Sequence, residues 1–206
     1  MTSNNRHLYT ATIHNREDEA PWRSIQSFRG PFQFLSNFEA VDIVVPSEQI
    51  PLSNGSFVTM PDMVFPSVEN AYMAWKTTSL ETRLWMQKAT PKDAKKRSQQ
   101  PDFIALQRAD YSDFTRLKAM FQFVSQKFDP TTHTLLATQL MEETGRDCVI
   151  EGNAWCDRFW GLCLRQGYGQ NHLGRIHMTV RDNVYEHFGL PRAFQESLLP
   201  SSIFQR

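Results

Sequence analysis

Hydrophobic side chains recur at steps of three and four residues over much of the chain beyond residue 66, which is the pattern of helices that bury one face. The clearest stretch ends at Asp129-Pro130, a pair that stops a helix. In the helix that follows, Leu135, Leu136 and Leu140 are expected to face inward. Helices are predicted over residues 67–87 (with a break near residues 77–79), 91–97, 113–128, 132–144 and 173–188.

Aromatic and β-branched residues dominate residues 32–45, with the polar pair Ser36-Asn37 in the middle. This pattern predicts a strand, a short turn and a second strand. Residues 46–61 carry Pro, Ser, Asn and Gly, and they predict a hairpin loop with its turn at Asn54-Gly55. The return strand is expected over residues 57–65, with an interruption near its proline.

Shorter strand-like runs lie outside this region: residues 8–13 and residues 148–150 are each predicted to add a short strand. Residues 151–171 contain four glycines and are predicted to be irregular. The pattern as a whole predicts a helix-rich α+β fold, a single domain in which about five helices pack around a small antiparallel sheet.

The length of 206 residues is most simply explained by one domain with a substantial core. We expect a polar N-terminal arm at residues 1–26, the folded domain at residues 27–190 and a C-terminal tail at residues 191–206. The 22 acidic and 22 basic residues balance, so no overall charge attracts nucleic acid or an anionic membrane. A local basic pocket is compatible with this balance.

The sequence carries no pattern typical of a secreted, membrane-spanning or metal-binding protein. Residues 1–16 lack the apolar core of a signal peptide, and no apolar run approaches the ~20 residues of a membrane span. Cys148, Cys156 and Cys163 are odd in number and contain no Cys-x-x-Cys pair, so they are predicted to be reduced thiols of a cytoplasmic protein. The histidines are scattered, and neither a metal nor a cofactor is predicted.

Glu69 and Lys76 are the first candidates for chemistry. Ser67 is a natural N-cap, which places Glu69 in the first helical turn and Lys76 two turns later on the same face. A carboxylate and an ammonium on one face can supply acid, base or nucleophile. The alternative is that Glu69 merely favours the helix N-terminus and that Lys76 is solvated.

Three further stretches have both a functional and a structural interpretation. The segment 157–161 and the glycine-rich segment 167–174 precede a helix, and the first-turn amides of that helix could hold an anion such as a phosphate. The structural interpretation is that Phe159 and Trp160 are core residues under a loop and that Asp157 caps a turn. The basic helix with Lys92, Lys95, Lys96 and Arg97 either attracts a phosphorylated ligand or is a solvated surface. Asn37 either caps a turn or recognises a ligand.

Taken in order, these segments resemble the NADAR, or YbiA-like, family, over about residues 28–188. The resemblance is carried by residues 34–38 and 65–76, by Arg116 and Met120 ahead of Lys127-Phe128, by the helix ending at Thr144-Gly145, by Glu151, Asp157, Trp160 and Gly161, and by Gly169, Asn171, Leu173, Gly174, Met178 and Arg181.

The resemblance implies a small helix-rich domain that hydrolyses N-glycosidic bonds. The substrates it implies are ADP-ribose joined to a base, notably guanine in nucleic acid, and phosphorylated ribosyl-amino pyrimidines of the riboflavin route. At the matching positions it implies a catalytic set of Glu69, Lys76 and Asp157 and a substrate-binding set of Asn37, Phe38, Asn70, Tyr111, Trp160, Gly161, Asn171 and Gly174.

Two positions depart from the family pattern. Asn70 stands where His is usual, which would change proton handling because Asn does not titrate. Ser112, with Tyr111 beside it, stands where Trp is usual, which would alter base stacking. Residues 46–61 resemble an insertion near the site.

The expected activity is therefore hydrolysis of the bond between ADP-ribose, or ribose phosphate, and a base or amine. Glu69 would stabilise an oxocarbenium-like ribose. Lys76 would either hold phosphate or ribose oxygens, or attack the anomeric carbon and form a Schiff base. A non-catalytic ADP-ribose-binding module and a structural protein stay open as alternatives. The expected partner is a small-molecule or nucleic-acid-linked ADP-ribosyl substrate, with no membrane and no obligate protein partner.

Overall fold

The computed structural model describes residues Tyr9–Thr10 and 24–192. The described residues form two compact units: a first unit that contains residues 9–10, 24–35 and 138–192, and a second unit that contains residues 36–137. Helices and small sheets occur together, so the predicted helix-rich α+β class is confirmed. None of the described helices is long and apolar enough to cross a membrane.

Most of the predicted arm at residues 1–26 and of the predicted tail at residues 191–206 lies outside the described residues. The domain boundaries therefore stay a prediction.

The helices outnumber the five that the sequence predicts. Residues 24–192 contain α1 (Val68–Trp75), α2 (Leu80–Met86), α3 (Pro91–Arg97), α4 (Pro101–Ala105), α5 (Asp113–Lys127), α6 (Thr134–Thr144) and α7 (His172–His187). The break expected near residues 77–79 is confirmed, because it separates α1 from α2. The short helix α4 was not predicted.

Within residues 9–10 and 24–192 the strands form four small sheets instead of one. They are β1 (Tyr9–Thr10), β2 (Ser24–Ile25), β3 (Ile43–Val45), β4 (Glu48–Pro51), β5 (Phe57–Met60), β6 (Met63–Phe65), β7 (Cys148–Val149), β8 (Gly152–Asn153), β9 (Leu162–Cys163) and β10 (Tyr168–Gly169). One sheet has the order β1-β10-β9-β8, and the others are the pairs β2-β7, β3-β6 and β4-β5. The pairs β1-β10, β9-β10, β3-β6 and β4-β5 are antiparallel, as expected for the small sheets of this fold, and the pairs β2-β7 and β8-β9 are parallel.

Residues 32–45 do not form two strands around a turn. Residues Gly30–Leu35 form 3-10 helical turns with a kink at Phe32, and only Ile43–Val45 is a strand. Pro31 fixes its own φ and offers no N–H to a ladder, and the adjacent residues Phe34 and Leu35 are both buried, which a strand with one face in water would not allow.

Helix α1 lies in the core of the second unit, and all eight of its residues are buried. Strand β3 pairs with β6, which leads directly into α1, and α5 packs against both α1 and β3. The hairpin β4-β5 turns at Asn54-Gly55, as predicted, and Gly55 has a positive φ of 83° there.

Helix α6 buries a different stripe from the one expected. Leu140 is fully buried together with Ala137 and Thr144, which are three and four residues away. Leu135 is 87% exposed, so the expectation that it faces inward is wrong. Leu136 is half-buried at the edge of the stripe.

In the first unit, helix α7 packs on β7, and its buried face includes Ile176, Val180 and Val184. A disulfide joins Cys156 and Cys163, and Cys148 is the free cysteine. The prediction of three reduced thiols is therefore wrong for two of them. Pairing of β8 with β9 brings these two cysteines together, and this proximity is invisible in their spacing along the chain.

Candidate functional site

One face of helix α1 carries both side chains that the sequence singles out. Tyr72 and Met73 follow Glu69 by three and four residues, and Lys76 follows Met73 and Tyr72 by three and four, so the four side chains lie on the same side of the helix. Ser67 begins α1 as its N-cap and accepts a backbone N–H of the first turn, as predicted. Glu69 is 4% exposed, and Lys76 is half-buried. A carboxylate and an ammonium so placed can act on one ligand.

Lys76 is surrounded by aromatic rings. Its Nζ lies 5.8 Å from the ring centroid of Tyr72, 6.0 Å from that of Phe103 and 5.7 Å from that of Tyr111, and it donates to Met73 Sδ at 3.8 Å. The hydroxyls of Tyr72 and Tyr111 are 3.2 Å apart. Burial, reinforced by Tyr111, raises the pKa of Tyr72, so its phenol is neutral at physiological pH.

The pKa of Lys76 is lowered from its ordinary value. Burial is the main cause, and the positive charges of Arg116 and Lys95 add to it. Tyr111 and Glu69 act in the opposite direction. A lowered pKa raises the fraction of neutral amine near neutral pH, and the neutral amine is the nucleophilic form.

Two buried arginines fix the backbone from which Lys76 projects. Arg83 Nη2 and Arg108 Nη1 donate to the carbonyl oxygen of Trp75 at 3.5 and 3.3 Å. Both also pair with the carboxylate of Glu48, at 3.2 and 3.0 Å. The Arg108 backbone N–H donates to the carbonyl of Lys76 at 3.0 Å. The end of α1 is thereby held by charge-assisted hydrogen bonds in the interior.

Lys95 is a site residue that the predicted set omits. Its Nζ lies 3.8 Å from Glu69 Oε1 and 5.7 Å from the ring centroid of Phe38. The sequence places Lys95 on a basic helix with two open interpretations, and the packing of α3 against α1 connects it to Glu69. Its side chain is 44% exposed, so the ion pair is partly screened by solvent.

Asn37 lies next to the N-terminus of α1. Its backbone carbonyl accepts the Glu69 N–H at 2.9 Å, and its Nδ2 contacts Met120 Sδ at 3.5 Å. Asn37 is 9% exposed, and its buried Oδ1 accepts no hydrogen bond from the described residues. A buried amide oxygen without a donor is costly, so this atom is a candidate acceptor for a ligand.

Asn70 is fully buried, and its side chain is bonded within the second unit. Its Nδ2 donates to the carbonyls of Met86 at 2.8 Å and Ala89 at 2.9 Å, and its Oδ1 accepts from the Ser67 hydroxyl at 2.6 Å. The two bonds of Nδ2 tie α1 to the end of α2 and to the segment that follows it. A substrate-binding role for Asn70 stays a prediction.

Asp157 stabilises a turn in the first unit. Its Oδ1 accepts the backbone N–H groups of Phe159 and Trp160, both at 3.0 Å. The rings of Phe159 and Trp160 meet edge to face with centroids 4.9 Å apart. The turn-capping alternative is thus present in the structure, and the proposed catalytic role of Asp157 stays a prediction.

The N-terminus of α7 is not open in the way the sequence suggested. The N–H groups of His172 and Leu173 donate to the carbonyls of Phe159 and Trp160 at 3.3 and 2.9 Å, so the expectation of unpaired first-turn amides is wrong for these two. They are occupied because the turn after Asp157 presents its carbonyls to the helix end.

Asn171 and two glycines anchor the same region. Asn171 Oδ1 accepts the Glu151 N–H at 3.0 Å, and its Nδ2 donates to the Val149 carbonyl at 2.9 Å. A Cβ on Gly161 or Gly174 would lie 2.1 Å from a backbone carbonyl oxygen, so only glycine fits at either position. Their predicted roles in substrate binding stay predictions.

The predicted residues fall into two groups by unit. The second unit brings together Asn37, Phe38, Glu69, Lys76 and Tyr111, and it also contains Asn70. The first unit contains Asp157, Trp160, Gly161, Asn171 and Gly174. That the two groups act on one ligand stays a prediction. Among the described residues, no group of three or more His, Cys, Asp and Glu side chains is placed to hold a metal ion.

Comparison with known proteins agrees with the resemblance seen in the sequence. The family model described as "NADAR domain" matches residues 25–185. The chain is 31% identical over 150 residues to riboflavin biosynthesis protein VVA0006 of Vibrio vulnificus, covering 70% of this chain and 38% of that protein. It is 29% identical over 162 residues to the chloroplastic riboflavin biosynthesis protein PYRR of Zea mays, covering 74% of this chain and 23% of that protein.

The chain thus spans only 23% and 38% of the length of these two curated relatives. The solution structure of the Escherichia coli protein YbiA superposes with a TM-score of 0.59 at 18% identity, covering 84% of this chain and 92% of that one. At this identity the likeness shows the fold.

Proposed function

The chain belongs to the NADAR family, and we propose that it hydrolyses the N-glycosidic bond between ADP-ribose, or another phosphorylated ribose, and a base or amine such as guanine. The observation that carries the proposal is the face of α1, where a buried carboxylate and an amine with a lowered pKa lie two turns apart. The names of the curated relatives support an enzymatic role.

Glu69 suits the electrostatic part of this reaction. Cleavage of the bond leaves positive charge on the ribose ring, and a nearby carboxylate stabilises it. The first-turn position of Glu69 favours its ionised form through the helix dipole. Lys95, 3.8 Å away, adds a positive charge that a phosphate of the substrate can share.

Lys76 has two possible roles, which differ in whether its amine is charged or neutral. As a cation it would hold ribose or phosphate oxygens. As a neutral amine it would bond to the anomeric carbon while the bond to the base breaks and the base takes up a proton, and opening of the ring would leave a Schiff base that water hydrolyses. The lowered pKa favours the second role.

A second candidate substrate is favoured by a specific observation. Both curated relatives are named as riboflavin biosynthesis proteins. A phosphoribosylamino-pyrimidine has the same kind of bond, between an anomeric carbon and a nitrogen, and the same chemistry would cleave it.

A product assay tests the proposal with three substrates: ADP-ribosylated guanine, free ADP-ribosyl compounds and a phosphoribosylamino-pyrimidine. We expect release of the base or amine from at least one of them, and a loss of about a hundredfold or more in kcat for Glu69→Gln. Glu81→Gln is the matched control, because Glu81 is an exposed carboxylate in the first turn of α2. Binding of ADP-ribose without any hydrolysis, or full activity of Glu69→Gln, would refute the enzymatic assignment.

Borohydride separates the two roles of Lys76. Reduction during turnover should fix the sugar to Lys76 and add its mass to the peptide that contains this residue. Lys88→Arg, which changes an exposed lysine, should still give the adduct, and Lys76→Arg should not. A wild-type enzyme that turns over without any reducible adduct has a purely electrostatic Lys76.

A further inference from the structure

The chain makes a tight turn at residues Ser36 to Glu39, immediately before strand β3. The Glu39 N–H donates to the Ser36 carbonyl at 3.1 Å, and the Phe38 N–H donates to the Ser36 hydroxyl at 3.2 Å. Asn37 and Phe38 are therefore the two central residues of a β-turn. Both belong to the predicted substrate-binding set.

This turn contacts Glu69 by two routes. The carbonyl of Asn37 accepts the Glu69 N–H at 2.9 Å. The ring of Phe38 lies 5.7 Å from the Nζ of Lys95, which is itself 3.8 Å from the Glu69 carboxylate. A displacement of the turn would therefore move both the N-terminal end of α1 and the partner of its carboxylate.

Lys127, the last residue of α5, reaches the turn from the interior. Its side chain is fully buried, and its Nζ donates to the Ser36 carbonyl at 2.7 Å. The Ser36 oxygen thus accepts two hydrogen bonds, one from within the turn and one from the buried ammonium. A charge-assisted bond of this length is among the stronger contacts that a turn can have.

A lysine at this position is a poor choice for stability alone. An ammonium without a close carboxylate is costly to bury, and burial lowers the pKa of Lys127 to about 7, with only partial compensation from Glu39. A methionine would fill similar space without that cost. What the ammonium supplies, and methionine would not, is the bond to Ser36.

We propose that Lys127 is a positioning residue of the site, which clamps the Ser36–Glu39 turn so that Asn37 and Phe38 present the geometry the substrate needs. This role rests on the proposed function for its effect on catalysis. The clamp is the hydrogen bond from Lys127 to the Ser36 carbonyl, and its effect on the turn can be measured without substrate.

The first experiment compares amide hydrogen exchange in wild type, Lys127→Met and Gln126→Leu. Gln126 is the matched control, since it precedes Lys127 on α5 but bonds to the backbone of Val44, at 2.8 and 2.9 Å. Lys127→Met should speed exchange of the Glu39 and Glu69 amides by about tenfold or more, relative to amides elsewhere in α1, and Gln126→Leu should not. Equal rates in wild type and Lys127→Met would overturn the clamp. Lys127→Gln is the second variant, should methionine prevent folding.

The second experiment is a double-mutant cycle on kcat/KM with the substrate identified by the product assay. We expect Lys127→Met and Asn37→Ala each to lower kcat/KM by about tenfold, and the double variant to be little worse than the poorer single one, because both act through the same turn. Gln126→Leu combined with Asn37→Ala should show only the effect of Asn37→Ala. Multiplicative losses for Lys127→Met and Asn37→Ala would refute the positioning role.

The two failures are distinguishable. Altered exchange at Glu39 and Glu69 in a protein that hydrolyses none of the substrates would retain the clamp and refute the proposed function. Hydrolysis with unchanged kcat/KM in Lys127→Met would retain the function and refute the positioning role.

Discussion

The buried ammonium of Lys127 should make the stability of the protein depend on pH in an unusual direction. Burial lowers its pKa from the ordinary 10.5 to about 7. Below about pH 7 both the folded and the unfolded chain carry the proton, and the folded state bears the full cost of the buried charge. Between about pH 7 and 10.5 the folded state has lost a proton that the unfolded state still holds. The free energy of unfolding therefore rises with pH in this window and levels off above it.

The size of the effect follows from the pKa. Each pH unit in the window contributes about 1.4 kcal/mol, so the difference between the two pKa values corresponds to about 5 kcal/mol as an order of magnitude. Over the accessible part, from about pH 7 to about pH 9.5, some 3 kcal/mol should be seen. This is a large fraction of the stability of an ordinary domain.

Urea unfolding of wild type and Lys127→Met across this range measures the effect. The comparison matters because burial also shifts the pKa of Lys76 downward and the pKa of Cys148 and Tyr72 upward, and these contributions are common to both proteins. Lys127→Met should be the more stable protein near pH 7, and its advantage should shrink by about 1.4 kcal/mol per pH unit. An advantage that stays constant to within about 0.5 kcal/mol over the range would refute a lowered pKa at Lys127.

Three other substitutions test the contacts that hold the site regions. Asn70→Ala removes hydrogen bonds that tie α1 to the end of α2 and should lower the free energy of unfolding by about 2–4 kcal/mol in urea titrations; a loss below about 0.5 kcal/mol would contradict this. Gly174→Ala places a Cβ 2.1 Å from the Val149 carbonyl oxygen and should lower the melting temperature by ~10 °C or prevent folding. A melting temperature equal to that of the wild type would contradict this and would mean that the backbone shifts to make room for the methyl group. Ser112→Ala removes the capping box of α5 and should lower the free energy of unfolding by about 1 kcal/mol. An unchanged free energy of unfolding would mean that the capping hydrogen bonds are not formed in solution.

Local signals in the sequence were sufficient for much of the second unit. Ser67 is an N-cap, the break between α1 and α2 falls at the predicted residues, and Asn54-Gly55 makes the hairpin turn. Each of these depends on residues close together in the chain, so propensity and capping decide them. The shared face of Glu69 and Lys76 has the same origin, since helix periodicity alone places them together.

Features that depend on distant residues were missed. The strands β8, β9 and β10 contain two residues each, and only their pairing distinguishes them from a glycine-rich loop. The same pairing brings Cys156 to Cys163. Lys95 carries no sign in its own neighbourhood that α3 packs its side chain against Glu69.

The departure at Asn70 illustrates why position in the chain is a poor guide to position in a site. Asn70 follows Glu69 directly, and for that reason an Asn in place of a His was expected to alter proton handling. One residue along a helix is a rotation of about 100°, and the side chain of Asn70 bonds to Met86 and Ala89 while Glu69 meets Lys95. The substitution should therefore appear first in stability, through the connection between α1 and the end of α2. Asn37 and its turn are the better candidates for determining substrate preference, because the buried Oδ1 of Asn37 can still accept a hydrogen bond from a ligand.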